Sequence, residues 1–182
     1  MDIPPDAKDW TWVLERPCLA CGVDASQVSG PAVAAMLRSS AAVWEAELGR
    51  EEVRVRPSPT TWSALEYGCH VRDVCRRFDA RLLLMLSDDD PEFETWDQDA
   101  SAIESRYGTQ DPLVVGSELV AAANVLAGHF DAVRGDQWQR TGRRSDGARF
   151  TIDSFAAYFL HDILHHLHDI DARSSAGATR SE

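Results

Sequence analysis

The chain has 182 residues, a formal net charge of −12, and hydrophobic and charged fractions of 44% and 26%. That length allows a sizeable core in one domain, and that acidity opposes nonspecific binding to nucleic acid or anionic membrane, whose phosphates would repel it. No uninterrupted apolar run approaches the ~20 residues needed to cross a bilayer, and the first residues, Met1 to Asp6, lack the basic start and apolar stretch of a signal peptide, so a cytoplasmic location is expected.

Residues 1–30 read as an irregular extension rich in Pro, Gly and Asp, with Trp10 and Trp12 packing it onto the body. Within it, Cys18-x2-Cys21 between Pro17 and Gly22 resembles half of a zinc knuckle or a redox pair, and no second Cys-x2-Cys completes it. The pair is expected to stand apart from any histidine site in the helical body. Pro31 suits a first helical position, and Val33, Met36, Leu37, Trp44 and Leu48 give the 3–4 spacing of an amphipathic helix that stops at Gly49. After a Pro57-Ser58-Pro59-Thr60 linker, Thr61 or Ser63 caps a second helix whose apolar stripe runs from Tyr67 through Val71, Val74, Phe78 and Leu82 to Met85. Cys69 and Cys75 on that helix read as small core fillers.

Residues 87–110 form a long acidic connection anchored by Phe93, Trp96 and Tyr107, so the next helix need not run antiparallel. The third helix opens near Asp111-Pro112 with the stripe Leu119, Ala123, Leu126, Phe130 and Val133, and a loop with Trp138 and Ser145-Asp146-Gly147 follows. Thr151 or Asp153 opens the fourth helix, with Ala156, Phe159, Leu160, Ile163, Leu167 and Ile170 facing inward. Apart from Val53-x-Val55 nothing alternates like a strand. The expected fold is all-α: a four-helix bundle over residues 31–171, an extension over 1–30 and a disordered tail over 172–182.

Four of the six histidines lie within eight residues of the fourth helix: His161, His165, His166 and His168. The His-x3-His spacing of His161 and His165 puts two imidazoles one turn apart on one side, close enough to share a metal ion. At about 100° per residue, His161, His165 and His168 flank the core stripe, whereas His166 points toward solvent. His70 flanks the stripe of the second helix, so His70, His161 and His165 make a candidate metal triad. His168, Glu66 and Asp73 are candidates to support it, the acids by orienting imidazole N–H groups. Lys8 is the sole lysine among 18 cationic residues, a bias that points to a high-GC genome. Arg140, Arg143, Arg144 and Arg149 form a small basic loop that either is solvated or meets an anionic part of a substrate.

Residues 62–73, with His70, and 158–167, with His161-x3-His165, resemble the two ligand-bearing segments of the DinB/YfiT-like superfamily. The resemblance covers about residues 31–171 and leaves the Cys18-x2-Cys21 extension unexplained. It implies a four-helix bundle whose site takes one histidine from helix 2 and a His-x3-His or Glu-x3-His from the last long helix, usually around zinc or nickel. Members with assigned reactions are thiol-dependent S-transferases and isomerases that use mycothiol or bacillithiol; others are stress-associated proteins without one. The leading expectation is therefore a metal-dependent transferase of a low-molecular-weight thiol, acting alone or as a homodimer on a small electrophile. Three imidazoles would leave an exchangeable position where a thiol loses its proton. A non-catalytic metal-binding stress-response module and a metal-dependent hydrolase are the alternatives, the latter without the Glu of a His-Glu-x2-His motif. No residue is assigned as catalytic; Gly-x-Ser-x-Gly, phosphate-loop and dinucleotide motifs are absent.

Overall fold

A computed structural model describes residues 9–178, with side chains through residue 171. Helix α1 (Gly30–Leu48) has proline in its first turn and buries Val33, Leu37, Trp44 and Leu48. Its start is pinned to the last helix. The Gly30 amide donates to Asp153 at 2.7 Å, and a Cβ at Gly30 would lie 2.2 Å from the Trp138 ring, so no larger residue fits without displacing that indole.

Helix α2 (Ala64–Ser87) opens on a capping box in which Ser63 and Glu66 satisfy each other's amides. Glu66 is buried and pairs with Arg56; burial would raise its pKa, but Arg56 and the Ser63 bonds hold it below the usual carboxylate value. Helix α4 (Pro112–Ala132) is capped by Asp111, and α5 (Ile152–Ala178) starts after Thr151, whose Oγ1 accepts the Ser154 amide at 3.1 Å. Helices α1 and α2 each pack chiefly against α4 and α5, which makes the expected four-helix bundle. The backbone of α5 is helical through Ala178, so it runs into the segment expected as a tail; residues 179–182 lie outside the described residues.

By length and composition α4 could cross a bilayer, a property that Glu118, His129 and Asp131 hide from a count of consecutive apolar residues. In the fold its Val115, Leu119, Ala123, Leu126 and Phe130 belong to the core.

The connection after α2 is more ordered than its composition predicts. It carries β1 (Glu92–Phe93), a short α3 (Gln98–Glu104) and a 3-10 turn over Tyr107–Thr109. Strand β1 joins β2 (Thr141–Arg144) in parallel, and β2 pairs antiparallel with β3 (Arg149–Thr151). Strands of two to four residues cannot display a period of two, which is why sequence alternation misses this sheet. Its role is to carry Phe93 and Phe150 into the core.

The expected basic patch is largely neutralised inside this sheet. Arg140 donates to the Met85 and Asp88 carbonyls, Arg143 pairs with Asp90 and Glu92, and Arg149 pairs with Asp90. Arg144 alone of the four lines the cleft described below, held by Asp146 and Tyr158.

Candidate metal centres

Ligand-type side chains converge at two places on α5. In the first, His70 of α2 reaches Asp162 and His166. His70 Nε2 lies 3.8 Å from Asp162 Oδ2, and His166 Nε2 lies 3.5 Å from Asp162 Oδ1. The His70 and His166 rings meet edge to face at 4.9 Å. In the second, Cys18 Sγ lies 3.6 Å from His165 Nδ1, and Cys21 Sγ lies 3.6 Å from His161 Nε2. Within each group the ligand atoms are all within 4.8 Å of one another, so each could hold a metal ion.

The ligand-type side chains thus gather as His70 with Asp162 and His166, and as His161 and His165 with Cys18 and Cys21; of the expected set of His70, His161 and His165, His70 falls in one group and the other two in the second. The physical reason is the packing of α5. Its 162/166 flank faces α2, while its 161/165 flank is covered by the N-terminal segment, so His166 turns inward where a solvent face was expected. Of the other candidates, His168 is exposed. Glu66 is committed to the α2 cap and Arg56, and Asp73 accepts the Tyr107 hydroxyl at 2.7 Å and pairs with Arg72. Neither acid is hydrogen-bonded to an imidazole. Asp162 and Asp169 hold His166 from both sides. A carboxylate four residues before a histidine was the available signal for Asp162 and His166.

His70 is 1% exposed and neither ring nitrogen has a hydrogen-bond partner among the described residues; its 3.8 Å approach to Asp162 is too long for one. The ring lies parallel to Trp96 at 5.3 Å and packs on Trp62 at 5.4 Å. Burial lowers its pKa, more than Asp162 raises it, so the imidazole is neutral at physiological pH, the form a metal requires. Burial would raise Asp162, but His166 and His70 pull its carboxyl well below the usual range. Burial would lower His166, but Asp162 and Asp169 override it and push the imidazole up to about 9.

At the second group, burial pushes His161 down to about 4, with His165 adding to the effect. His165 is lowered mainly by burial, and Cys21 is raised by burial and by the neighbouring Cys18 thiol. Cys69 and Cys75 stay in the core as expected, with burial pushing Cys69 up to about 12 and Cys75 higher still.

Both groups border a cavity of about 690 Å³. Trp10, Trp62 and Trp96 wall it, and Arg81 and Arg144 add positive charge to an otherwise acidic rim that includes Asp97, Asp99 and Asp146.

Residues 37–170 match the sequence profile of the DinB superfamily. Among solved structures, the chain resembles YfiT from Bacillus subtilis, described as a probable metal-dependent hydrolase with an unusual four-helix bundle topology. The TM-score is 0.66 at 18% identity, over 81% of this chain and 87% of that one, a likeness that speaks to the fold. No curated protein sequence matches the chain.

Proposed function

This chain belongs to the DinB superfamily, and on that premise we propose that it is a metal-dependent transferase of a low-molecular-weight thiol, with the metal held by His70, Asp162 and His166. The observation that carries this reading is the buried His70 imidazole, which has no hydrogen-bond partner among the described residues and faces a carboxylate and a second imidazole at coordination range. A desolvated polar group without a partner costs about 1–3 kcal/mol, a cost that a cation at this point would remove. Two imidazoles and one carboxylate suit a divalent ion, zinc or nickel foremost, and leave positions for a ligand from the cleft.

When bound, such an ion supplies Lewis acidity that lets a thiol lose its proton at neutral pH. The chain's own residues do the rest. Asp162, ionised, offsets part of the cation's charge, and His70 offers a neutral ring. His166 must first give up the proton it holds between Asp162 and Asp169. The indoles of Trp10, Trp62 and Trp96 exclude water from the approach, and Arg144 sits where an anionic part of either substrate would enter. A thiol fits better than water because water attack gains most from a free general base: Asp162 is itself in the set, and Asp169, the next carboxylate, is engaged by His166.

Metal hydrolysis is the second reading, favoured by the description of YfiT as a probable metal-dependent hydrolase. Metal-loaded protein should conjugate an electrophile with mycothiol, or another small thiol, faster than the thiol reacts alone. His70→Ala should abolish the gain. Ester or amide cleavage without thiol, lost in the same variant, would establish the hydrolase instead. The absence of both reactions across a thiol and ester panel would leave a non-catalytic metal module.

A further inference from the structure

The segment before α1 folds back on itself at Cys18 to Val23. The Cys18 amide donates to the Val23 carbonyl and the Gly22 amide to the Cys18 carbonyl, both at 2.8 Å. Gly22 sits at φ +76°, a conformation L side chains rarely adopt, and this lets the chain reverse directly after Cys21. The turn aims both thiols at α5, where His161 and His165 present imidazoles one helical turn apart. The two sulfur–nitrogen distances are 3.6 Å. Tetrahedral zinc, with bonds of about 2.3 Å to sulfur and 2.0–2.1 Å to nitrogen, requires a sulfur–nitrogen edge of about 3.6 Å.

We propose that Cys18, Cys21, His161 and His165 form a separate closed Cys2His2 zinc site that fastens the N-terminal segment to the bundle. Direct thiol–imidazole hydrogen bonds are the competing account. S–H is a weak donor, and two such bonds leave four electron-pair donors converging on one point. Zinc uses all four. Its binding releases the two thiol protons, and the two thiolates cancel the charge of the dication, so the filled site adds no net charge to a largely buried place; Cys18 is 2% and His161 3% exposed.

Four protein ligands leave no vacancy, so the site is structural where the His70 site is open. It nonetheless shapes the cleft. Trp10, whose ring lies 5.9 Å from His161 and 5.2 Å from His165, also forms a cleft wall. The other apolar anchor of the segment is a small cluster centred on Val13, Ala25 and Ala157.

The test uses the reduced full-length chain loaded with Co2+ and then Zn2+. The expected result is two ions per chain, a thiolate-to-cobalt charge-transfer band in the near ultraviolet, and the strong visible absorption of tetrahedral cobalt. His70→Ala should keep the sulfur band and lose about one ion, whereas Cys18→Ser/Cys21→Ser should lose the band and a different single ion. The two proposed sites therefore fail separately. No sulfur band in the wild-type chain overturns the proposal without recourse to any variant. So does zinc that leaves Cys18 and Cys21 as reactive toward a thiol reagent as in the metal-free chain, or their recovery as a disulfide from zinc-loaded protein.

Discussion

On α5, His161 and His165 meet two thiols from the N-terminal segment, while Asp162 and His166, one residue further along, meet an imidazole from α2. Both pairs have the same i, i+4 spacing. They differ by the ~100° that one residue turns around a helix, and that rotation changes the partner, the donor chemistry and the access. The first set is sulfur-rich, has four protein ligands and is capped by Trp10. The second is oxygen- and nitrogen-rich, has three, and opens to the cleft. One helix can thus carry a fastening site and a reactive site side by side, provided that different elements cover its two flanks.

The largest expected effect separates the two registers. His166→Ala should reduce the thiol-dependent rate by about 100-fold or more, as loss of a metal ligand would, whereas His165→Ala should leave it within a few-fold; steady-state rates on metal-loaded protein decide. The opposite ranking would return the reactive site to His70, His161 and His165.

The next effect is structural. Stripping metal from the wild-type chain, or Cys18→Ser/Cys21→Ser, should expose the segment before Gly30 to limited proteolysis while the bundle stays helical by circular dichroism. Equal resistance with and without metal would mean that apolar packing alone holds the segment.

Acidity should act on the two flanks with opposite sign in the metal-free protein. His161 has a folded pKa of about 4 against 6.5, so its contribution is present above pH 6.5 and is lost as pH falls toward 4. His166 has a folded pKa of about 9, so its contribution is complete below pH 6.5 and is lost as pH rises through 9. Urea titrations of wild type, His161→Gln and His166→Gln across pH 4–10 measure both; the first variant should flatten the acid limb and the second the alkaline limb.

The smallest effect is Ser63→Ala. Loss of the α2 cap should cost about 1 kcal/mol, seen as a lower urea midpoint, with the ion count per chain unchanged. A fall in metal content would mean that the cap also positions His70, seven residues further on.

Much of the fold was legible because helices advertise themselves locally. The Pro31 start, the Ser63 and Asp111 caps and the apolar stripes of the four long helices depend on neighbours three and four residues away, and they appear where the spacing puts them, except that Met36, expected in the first stripe, is exposed. The superfamily was legible for the same reason, since its ligand-bearing segments lie on two such helices. The three short strands were not, because two to four residues carry no period.

The sequence by itself determined that α5 bears ligand-type residues at i, i+4 spacing, that α2 bears His70, and that Cys18 and Cys21 share a turn. Which of them meet was decided only by tertiary structure. Helical periodicity fixes the angle between His165 and His166, but the direction of α2 and of the returning N-terminal segment relative to that angle comes from packing. Contacts between residues 147 and 140 positions apart, Cys18 with His165 and Cys21 with His161, leave no trace in local pattern, because they come with burial of Val13, Cys18 and Ala25 against the finished bundle.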